Sequence, residues 1–184
     1  MSILCSIEKN YLKLCFHKME LPIFPLNGAV LFPGTSLPLN IFENRYIDMI
    51  NYTLARDRYI GMIQLDKKND LYNVGCIGKI SSFNETNDGR YLISLQGINC
   101  FKIINELDRD YTFRLVNAEI IENDEVDKVL TDDHKFDLLK KYKDYIKIKN
   151  INLRLEEIEN IDVEQIIKFI AMVSPFKNED KQTL

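Results

Sequence analysis

Histidine and cysteine are the residue types of this 184-residue chain best suited to catalysis or metal binding, and both are few. Cys15 and His17 lie close enough in sequence to form a pair of metal ligands, but no C-x-x-C or H-E-x-x-H motif accompanies them. His17 and His134 fall in the amino-terminal stretch and in an acidic segment, where no rigid element is predicted to hold a general base. The spacing therefore predicts neither a metal centre nor a catalytic triad.

Motifs for phosphate binding and for an activated serine are also missing from the sequence. No G-x-x-x-x-G-K-[ST] occurs, and Gly75, Gly78 and Gly97 lie inside strand-like runs rather than at the start of a helix. No G-x-S-x-G occurs, and Ser81 and Ser94 alternate with apolar residues as in ordinary strands. We therefore predict that the chain is not an enzyme and needs no metal or cofactor.

The charge pattern does not favour a nucleic-acid partner. The net charge is −4 at pH 7, whereas nucleic-acid binders usually carry a basic surplus or a basic stripe. Acidic residues cluster at 119–137 and 156–164, which is typical of a solvated surface, although paired carboxylates remain possible on numbers alone. Basic residues and tyrosines interleave at 140–149, but Asp144 and the acidic flanks favour a helix surface over contact with RNA.

The elements that would position any site follow from the hydrophobic pattern. A period of two, typical of half-buried strands, runs from Leu21 to about Ile121. It predicts strands at 36–42, 59–65, 74–83, 90–98, 100–107 and 111–121, with a hairpin turn at 85–89. One amphipathic helix is predicted at 43–57. Short connections between many strands favour a barrel or a sandwich over a βαβ sheet.

Four of the five prolines lie within the first strands, among core-forming residues. Proline lacks an N–H, so it suits strand ends, edge strands and bulges. We expect Pro22 and Pro25 to flank a short first strand, Pro33-Gly34 to form a turn, and Pro38 to occupy a position that donates no ladder bond.

Helical patterns replace the strand pattern after Glu122. A helix is predicted at 136–148, with Asp132 or Asp133 near its amino terminus, where negative charge is favourable. A second is predicted at 162–173, with Asp162 as its N-cap and Gln165 three residues later. Asn178 is expected to cap a further helix that the chain leaves unfinished, which suggests truncation.

These patterns divide the chain into three parts. Residues 1–20 form an extension that either frays or precedes a true start at Met19, 21–122 form the β-domain, and 123–184 form a helical subdomain. No apolar run approaches the length of about 18 residues that a membrane span needs, and no secretory signal is recognisable. We therefore expect a cytoplasmic protein with free thiols, in which Cys76 and Cys100 are small buried hydrophobes.

Two long blocks of the sequence resemble the substrate-binding domain of the Lon (protease La) family. The first is LPIFPLNGAVLFPGTSLPLNIFENRYIDMI at 21–50, and the second is VGCIGKISSFNETNDGRYLISLQGINCFKI at 74–103. SPFKNEDKQTL at 174–184 is similar to the stretch that leads into the family's next helix. The resemblance implies an α+β fold, a PUA-like β-barrel of about six strands with one inserted helix, followed by a helical segment.

The resemblance covers 21–184 and implies recognition rather than catalysis, because the family's ATPase and Ser-Lys peptidase domains have no counterpart here. A stand-alone member or a fragment is expected. The implied partners are unfolded or apolar protein segments, with Phe24, Phe32 and Phe42 as candidate contacts. The residues themselves favour a core role for these rings, and a structural role for Glu43 and Arg45. The alternatives are an adaptor that docks on a separate Lon protease, or an RNA-binding module, which the acidic balance disfavours.

Overall fold

The computed structural model describes residues 18–121, 132–151 and 161–183. The elements run in the order β1 (Lys18–Pro25), β2 (Ser36–Ile41), α1 (Asn44–Leu54), β3 (Tyr59–Ile63), β4 (Val74–Glu85), β5 (Tyr91–Leu107), β6 (Arg114–Ile121), α2 (Asp132–Ile148), α3 (Val163–Val173) and α4 (Asn178–Gln182). Their contacts define two compact units. Residues 18–121 and 175–183 form the first, and 132–151 and 161–174 belong to the second.

The sheet of the first unit closes on itself, which confirms the predicted α+β barrel. Its strand order is β2-β5-β4-β3-β1-β6, and an additional pairing between β5 and β6 completes the ring. β1 runs antiparallel to β6, from Lys18 opposite Glu119 to Ile23 opposite Arg114, and parallel to β3. β2 pairs with β5 alone and is therefore an edge strand.

β5 is a single 17-residue strand where the sequence pattern predicts two strands, 90–98 and 100–107. The pairing with β4 shifts between Ile77 opposite Asn99 and Gly78 opposite Gly97, so Ile98 has no partner. The buried residues Ile93, Leu95, Gly97 and Phe101 keep the same alternation on both sides of Ile98, so the bulge bends the strand without interrupting its period of two. The bend lets the first part of β5 pair with β2 and its last part with β6.

The prolines take the roles expected of residues without an N–H, with one exception. Pro25 ends β1, Pro33-Gly34 forms a turn in which Gly34 has φ +80°, and Pro38 lies on the edge strand β2. Pro22 lies inside β1, which begins at Lys18, rather than at its start. The pairing of β1 with β3 begins only at the residue after Pro22, so no strand faces the proline on that side.

Helix α1 ends three residues earlier than the predicted boundary of 57. It buries Met49, Ile50 and Thr53 against the barrel. The backbone leaves the helix at Leu54, and the N–H groups of Arg56 and Arg58 both donate to the carbonyl oxygen of Thr53. Arg58 then adopts φ +67°, a left-handed conformation that cannot continue a helix.

Two apolar clusters stabilise the barrel. One lies among α1 and the strand faces next to it, and includes Met49, Ile50 and Leu95. The other is centred on Phe101, which has no exposed surface. A Cβ added at Gly61 on β3 would lie 2.8 Å from the Phe101 ring, and one added at Gly75 on β4 would lie 2.9 Å from it. Only glycine at these two positions therefore leaves room for the ring.

The second unit contains α2 and α3. α2 begins at Asp132, four residues before the predicted range of 136–148 and at one of the two residues expected near its amino terminus. The N-cap prediction for α3 is confirmed, since the Asp162 Oδ1 accepts a hydrogen bond of 3.0 Å from the Gln165 N–H. The buried hydroxyls of Tyr142 and Ser174 lie 3.0 Å apart. Tyr142 belongs to the basic and aromatic stretch at 140–149, so part of that stretch faces the interior of this unit.

Helix α4 packs on the barrel. It is capped by Lys177 without a side-chain hydrogen bond, so the expected cap, Asn178, is instead its first residue. The Lys181 Nζ is buried and donates to the Gly28 carbonyl oxygen at 2.9 Å, and the Gln182 Nε2 donates to Val74 O at 3.1 Å. Desolvation lowers the pKa of Lys181. Whether 123–184 folds as a separate subdomain stays a prediction.

Several residues discussed above lie outside the described ranges, among them Cys15 and His17, which were considered as a ligand pair, and most of the extension 1–20. Over the ranges that are described, no group of three or more His, Cys, Asp or Glu side chains is placed to hold a metal ion. None of the helices in those ranges is both long and apolar enough to cross a membrane. Cys76 is buried as predicted, whereas Cys100 is only half-buried.

Candidate functional site

A cleft of about 510 Å³ opens at one end of the barrel, where the end of β1, the β2–α1 junction and the start of β6 meet. Aromatic and aliphatic side chains share its lining with a few polar groups. The lining residues are Ile23, Phe24, Pro25, Leu26, Asn27, Leu39, Asn40, Ile41, Phe42, Glu43, Arg45, Tyr46, Leu65, Asn69, Thr112, Phe113 and Arg114.

Buried rings and aliphatic groups form the floor of the cleft. The Phe24 ring packs edge-to-face on the Tyr46 ring, with centroids 4.4 Å apart, and only 7% of Phe24 is exposed. Ile41 and Phe113 are buried beside them in the same apolar cluster. Burial raises the pKa of the Tyr46 phenol, so this group stays neutral. The floor therefore offers a fixed apolar surface.

Phe42 differs from the floor residues because 63% of it is exposed. It follows directly after Ile41, the buried last residue of β2. Since neighbouring residues of an extended chain point in opposite directions, burial of Ile41 turns Phe42 outward. A phenyl ring exposed to this degree keeps apolar surface in water and is available for contact with a partner.

Two ion pairs contribute charged residues to the rim of the cleft, where Glu43, Arg45 and Arg114 line it. Arg45 pairs with Glu43 at 2.8 Å, and its guanidinium lies 4.6 Å from the centre of the Tyr46 ring. This contact fits the structural role predicted for Glu43 and Arg45, since the two residues bind each other. Arg114 donates two hydrogen bonds of 2.7 Å to the Glu106 carboxylate, and these bonds lower the pKa of Glu106. Both arginines therefore have a carboxylate partner.

Two of the three predicted contact residues line the cleft. Phe24 contributes to its floor and Phe42 to its rim. Phe32 is not among the lining residues. It is half-buried in the β1–β2 loop, where its carbonyl oxygen accepts a hydrogen bond of 2.7 Å from the Thr35 hydroxyl.

Sequence reasoning missed Phe113 and Arg114, which line the cleft from the start of β6. Arg114 lies opposite Ile23 because of the β1–β6 register, and nothing in the local sequence indicates that pairing. Tyr46 could have been found, since it ends the Ile-Phe-Glu-x-Arg-Tyr motif that contains Phe42.

Comparison with a family model gives a match over residues 20–184, nearly the whole chain. The family is described as the ATP-dependent protease La (LON) substrate-binding domain. Lon protease 1 of Bdellovibrio bacteriovorus is 24% identical over 176 residues, and the Lon protease of Halothermothrix orenii is 29% identical over 161 residues. These alignments cover 89% and 82% of this chain but only 22% and 20% of the relatives, so the chain spans about a fifth of their length.

Solved structures with the same fold are found as well. A Lon N-terminal domain protein from Xanthomonas campestris superposes with a TM-score of 0.65 at 19% identity. The N-terminal domain of Lon protease from the Mycobacterium avium complex superposes with a TM-score of 0.63 at 16% identity. Each match covers 90% of this chain and 88% of the other.

Proposed function

Since the chain belongs to the family of ATP-dependent protease La (LON) substrate-binding domains, we propose that it binds exposed apolar segments of unfolded polypeptides. The binding site that we propose is the cleft between Phe42 and the Phe24–Tyr46 floor. The chain itself catalyses no reaction in this role. It selects protein segments in the service of ATP-dependent proteolysis.

The exposure of Phe42 carries the proposal. A phenyl ring that is 63% exposed leaves apolar surface hydrated, and transfer of such surface out of water is favourable by roughly 25 cal/mol per Å². An apolar side chain held against this ring would remove its own surface and that of Phe42 from water. Because the floor is already packed, the segment would meet a surface that needs little reorganisation.

The size and the rim of the cleft are compatible with such an occupant. Its volume of about 510 Å³ lies within the range of roughly 300–1,000 Å³ that is common for binding pockets. Asn27, Asn40 and Asn69 add amide groups to the lining. These groups can exchange hydrogen bonds with the backbone of a bound segment, which would otherwise lose its bonds to water.

Replacement of Phe42 by serine should weaken the binding of an unfolded protein about five- to tenfold, because roughly 1 kcal/mol or more of apolar contact is lost. A fluorescein-labelled protein that is kept unfolded by reduction and alkylation of its cysteines is a suitable ligand. Titration with the chain, followed by fluorescence anisotropy, gives the dissociation constants.

Phe136→Ser is the matched control. Phe136 is 72% exposed on α2 and does not line the cleft, so its loss should leave the affinity unchanged. Equal affinities for the two variants would show that Phe42 is not a contact. Failure of the unsubstituted chain to give saturable binding at high micromolar concentration would overturn the proposed function itself.

The adaptor hypothesis, in which the chain docks on a separate Lon protease, rests on the relatives alone. We find no feature of the described surface that favours it over the binding of client segments. RNA binding has weaker support still, since the net charge is −4.

A further inference from the structure

A second pocket adjoins the cleft and has a different chemical character. It measures about 340 Å³ and is lined by Asp48, Asn51, Tyr52, Asp110, Tyr111, Thr112 and Phe113. We infer that this pocket, called the aromatic–acidic pocket below, binds a basic side chain of the client segment, a lysine or an arginine. The inference rests on the proposed function, because the basic side chain and the apolar one belong to the same bound polypeptide.

Three rings form the wall of the aromatic–acidic pocket. The Tyr111 and Phe113 rings are stacked 5.0 Å apart and only 9° from parallel, and the Tyr52 ring lies 5.2 Å from each of them. Tyr111 is 45% exposed, so part of this aromatic surface is open to solvent. Aromatic faces attract ammonium and guanidinium groups through the quadrupole of the ring.

Two carboxylates lie beside these rings. Asp48 and Asp110 line the pocket, and within the described ranges no cationic side chain lies within ion-pairing distance of either. The Asp48 Oδ2 accepts a hydrogen bond of 2.8 Å from the Thr112 hydroxyl, which fixes the position of this carboxylate. A basic side chain in the pocket would thus meet an aromatic surface and two negative charges.

Two arginines near the pocket already have partners. Arg109 pairs with Glu20 at 3.5 Å. The Arg56 guanidinium lies 3.6 Å from the centre of the Tyr52 ring and donates to the Tyr52 carbonyl oxygen at 3.0 Å. Only Arg109 is paired with a carboxylate, so the two carboxylates of the pocket face one remaining cationic charge, that of Arg56. The Tyr52 ring of this group thus already contacts one guanidinium, whereas no cation lies over the Tyr111 or Phe113 ring within the described ranges.

The aromatic–acidic pocket and the cleft are continuous, since Thr112 and Phe113 line both. A segment with an apolar side chain in the cleft would therefore carry its next few residues toward Tyr111. An extended chain advances about 3.3–3.6 Å per residue, so a basic side chain only a few positions away can reach the pocket. The two sites together would select segments in which apolar and basic residues are close neighbours.

Two labelled peptides of one apolar sequence, differing only by Lys or Gln at a single position near the apolar residues, test this inference. The chain should bind the Lys peptide about fivefold more tightly at low ionic strength, and the preference should shrink as salt is added. Asp110→Asn and Tyr111→Ala should each reduce the preference while leaving the affinity for the Gln peptide unchanged. Asp57→Asn, at an exposed carboxylate outside the pocket, should retain it.

Equal affinity of the unsubstituted chain for the two peptides would overturn the inference, as would a Lys preference that survives both pocket variants. If neither peptide binds, the proposed function fails, and the pocket is then tested separately by titration with N-acetyl-arginine amide. Movement of the Tyr111 ring resonances in the unsubstituted chain, but not in Asp110→Asn, would support the pocket. No movement would overturn it.

Discussion

Replacement of Phe101 by alanine should destabilise the barrel by about 3–5 kcal/mol. Phe101 is fully buried on β5, and the space around its ring is bounded by Gly61 and Gly75, which have no side chains to move inward. The cavity left by the ring would therefore stay largely open, and such a cavity costs more than the transfer of the ring alone. Because the chain has no tryptophan, urea unfolding is best followed by far-UV circular dichroism.

Ile104→Ala is the matched control on the same strand. Ile104 is 46% exposed, so its truncation should cost less than about 1 kcal/mol. Similar losses of stability in the two variants would contradict the burial of the Phe101 ring in the barrel core.

Replacement of Gly97 by alanine should cost about 3 kcal/mol or more, through a different mechanism. A Cβ at Gly97 would lie 2.1 Å from the carbonyl oxygen of Phe32, which is backbone and cannot turn aside. The Gly97 N–H donates to Thr35 O at 2.8 Å, and its carbonyl oxygen accepts from the Gly34 N–H at 2.9 Å. Relief of the clash would therefore move the β1–β2 loop away from β5 and break these bonds.

Gly89→Ala separates this steric effect from a purely conformational one. Gly89 has φ +79° in the β4–β5 turn, and nothing lies within 4 Å of the position that a Cβ would take. Its replacement should cost about 1–2 kcal/mol from backbone strain alone. Thermal unfolding of both variants measures the two losses of stability. A Gly97→Ala variant as stable as Gly89→Ala would contradict the close approach of the β1–β2 loop to Gly97 on β5.

Local patterns were sufficient to predict most elements of the barrel. The alternation in β2, the Asp-Gly turn before β5 and the spacing of apolar residues in α1 each reflect interactions between near neighbours. Closure of the sheet could not be derived in the same way, because the β1–β6 pairing joins residues far apart in sequence. The pattern alone did not distinguish a barrel from a sandwich, and it divided the continuous strand β5 into two.

The same distinction between local and distant information applies to the cleft. Phe42 and Tyr46 belong to one motif and could be identified together, whereas Arg114 reaches the cleft only through the register of β6. The docking of α4 was equally inaccessible. Lys181 looks like an ordinary exposed lysine in the sequence, yet its Nζ is buried against Gly28 O.

Client segments are proposed to bind at the cleft, and the β4–β5 hairpin is a second apolar surface that could bind them instead. Phe83 and Leu92 are 41% and 43% exposed there, so an apolar segment has a second place to bind. Amide chemical shifts of the isotope-labelled chain, recorded during titration with an unlabelled apolar peptide, distinguish the two surfaces. We expect saturable shifts at Phe42, Arg45 and Arg114 with the hairpin unchanged, whereas shifts confined to Phe83 and Leu92 would contradict the account.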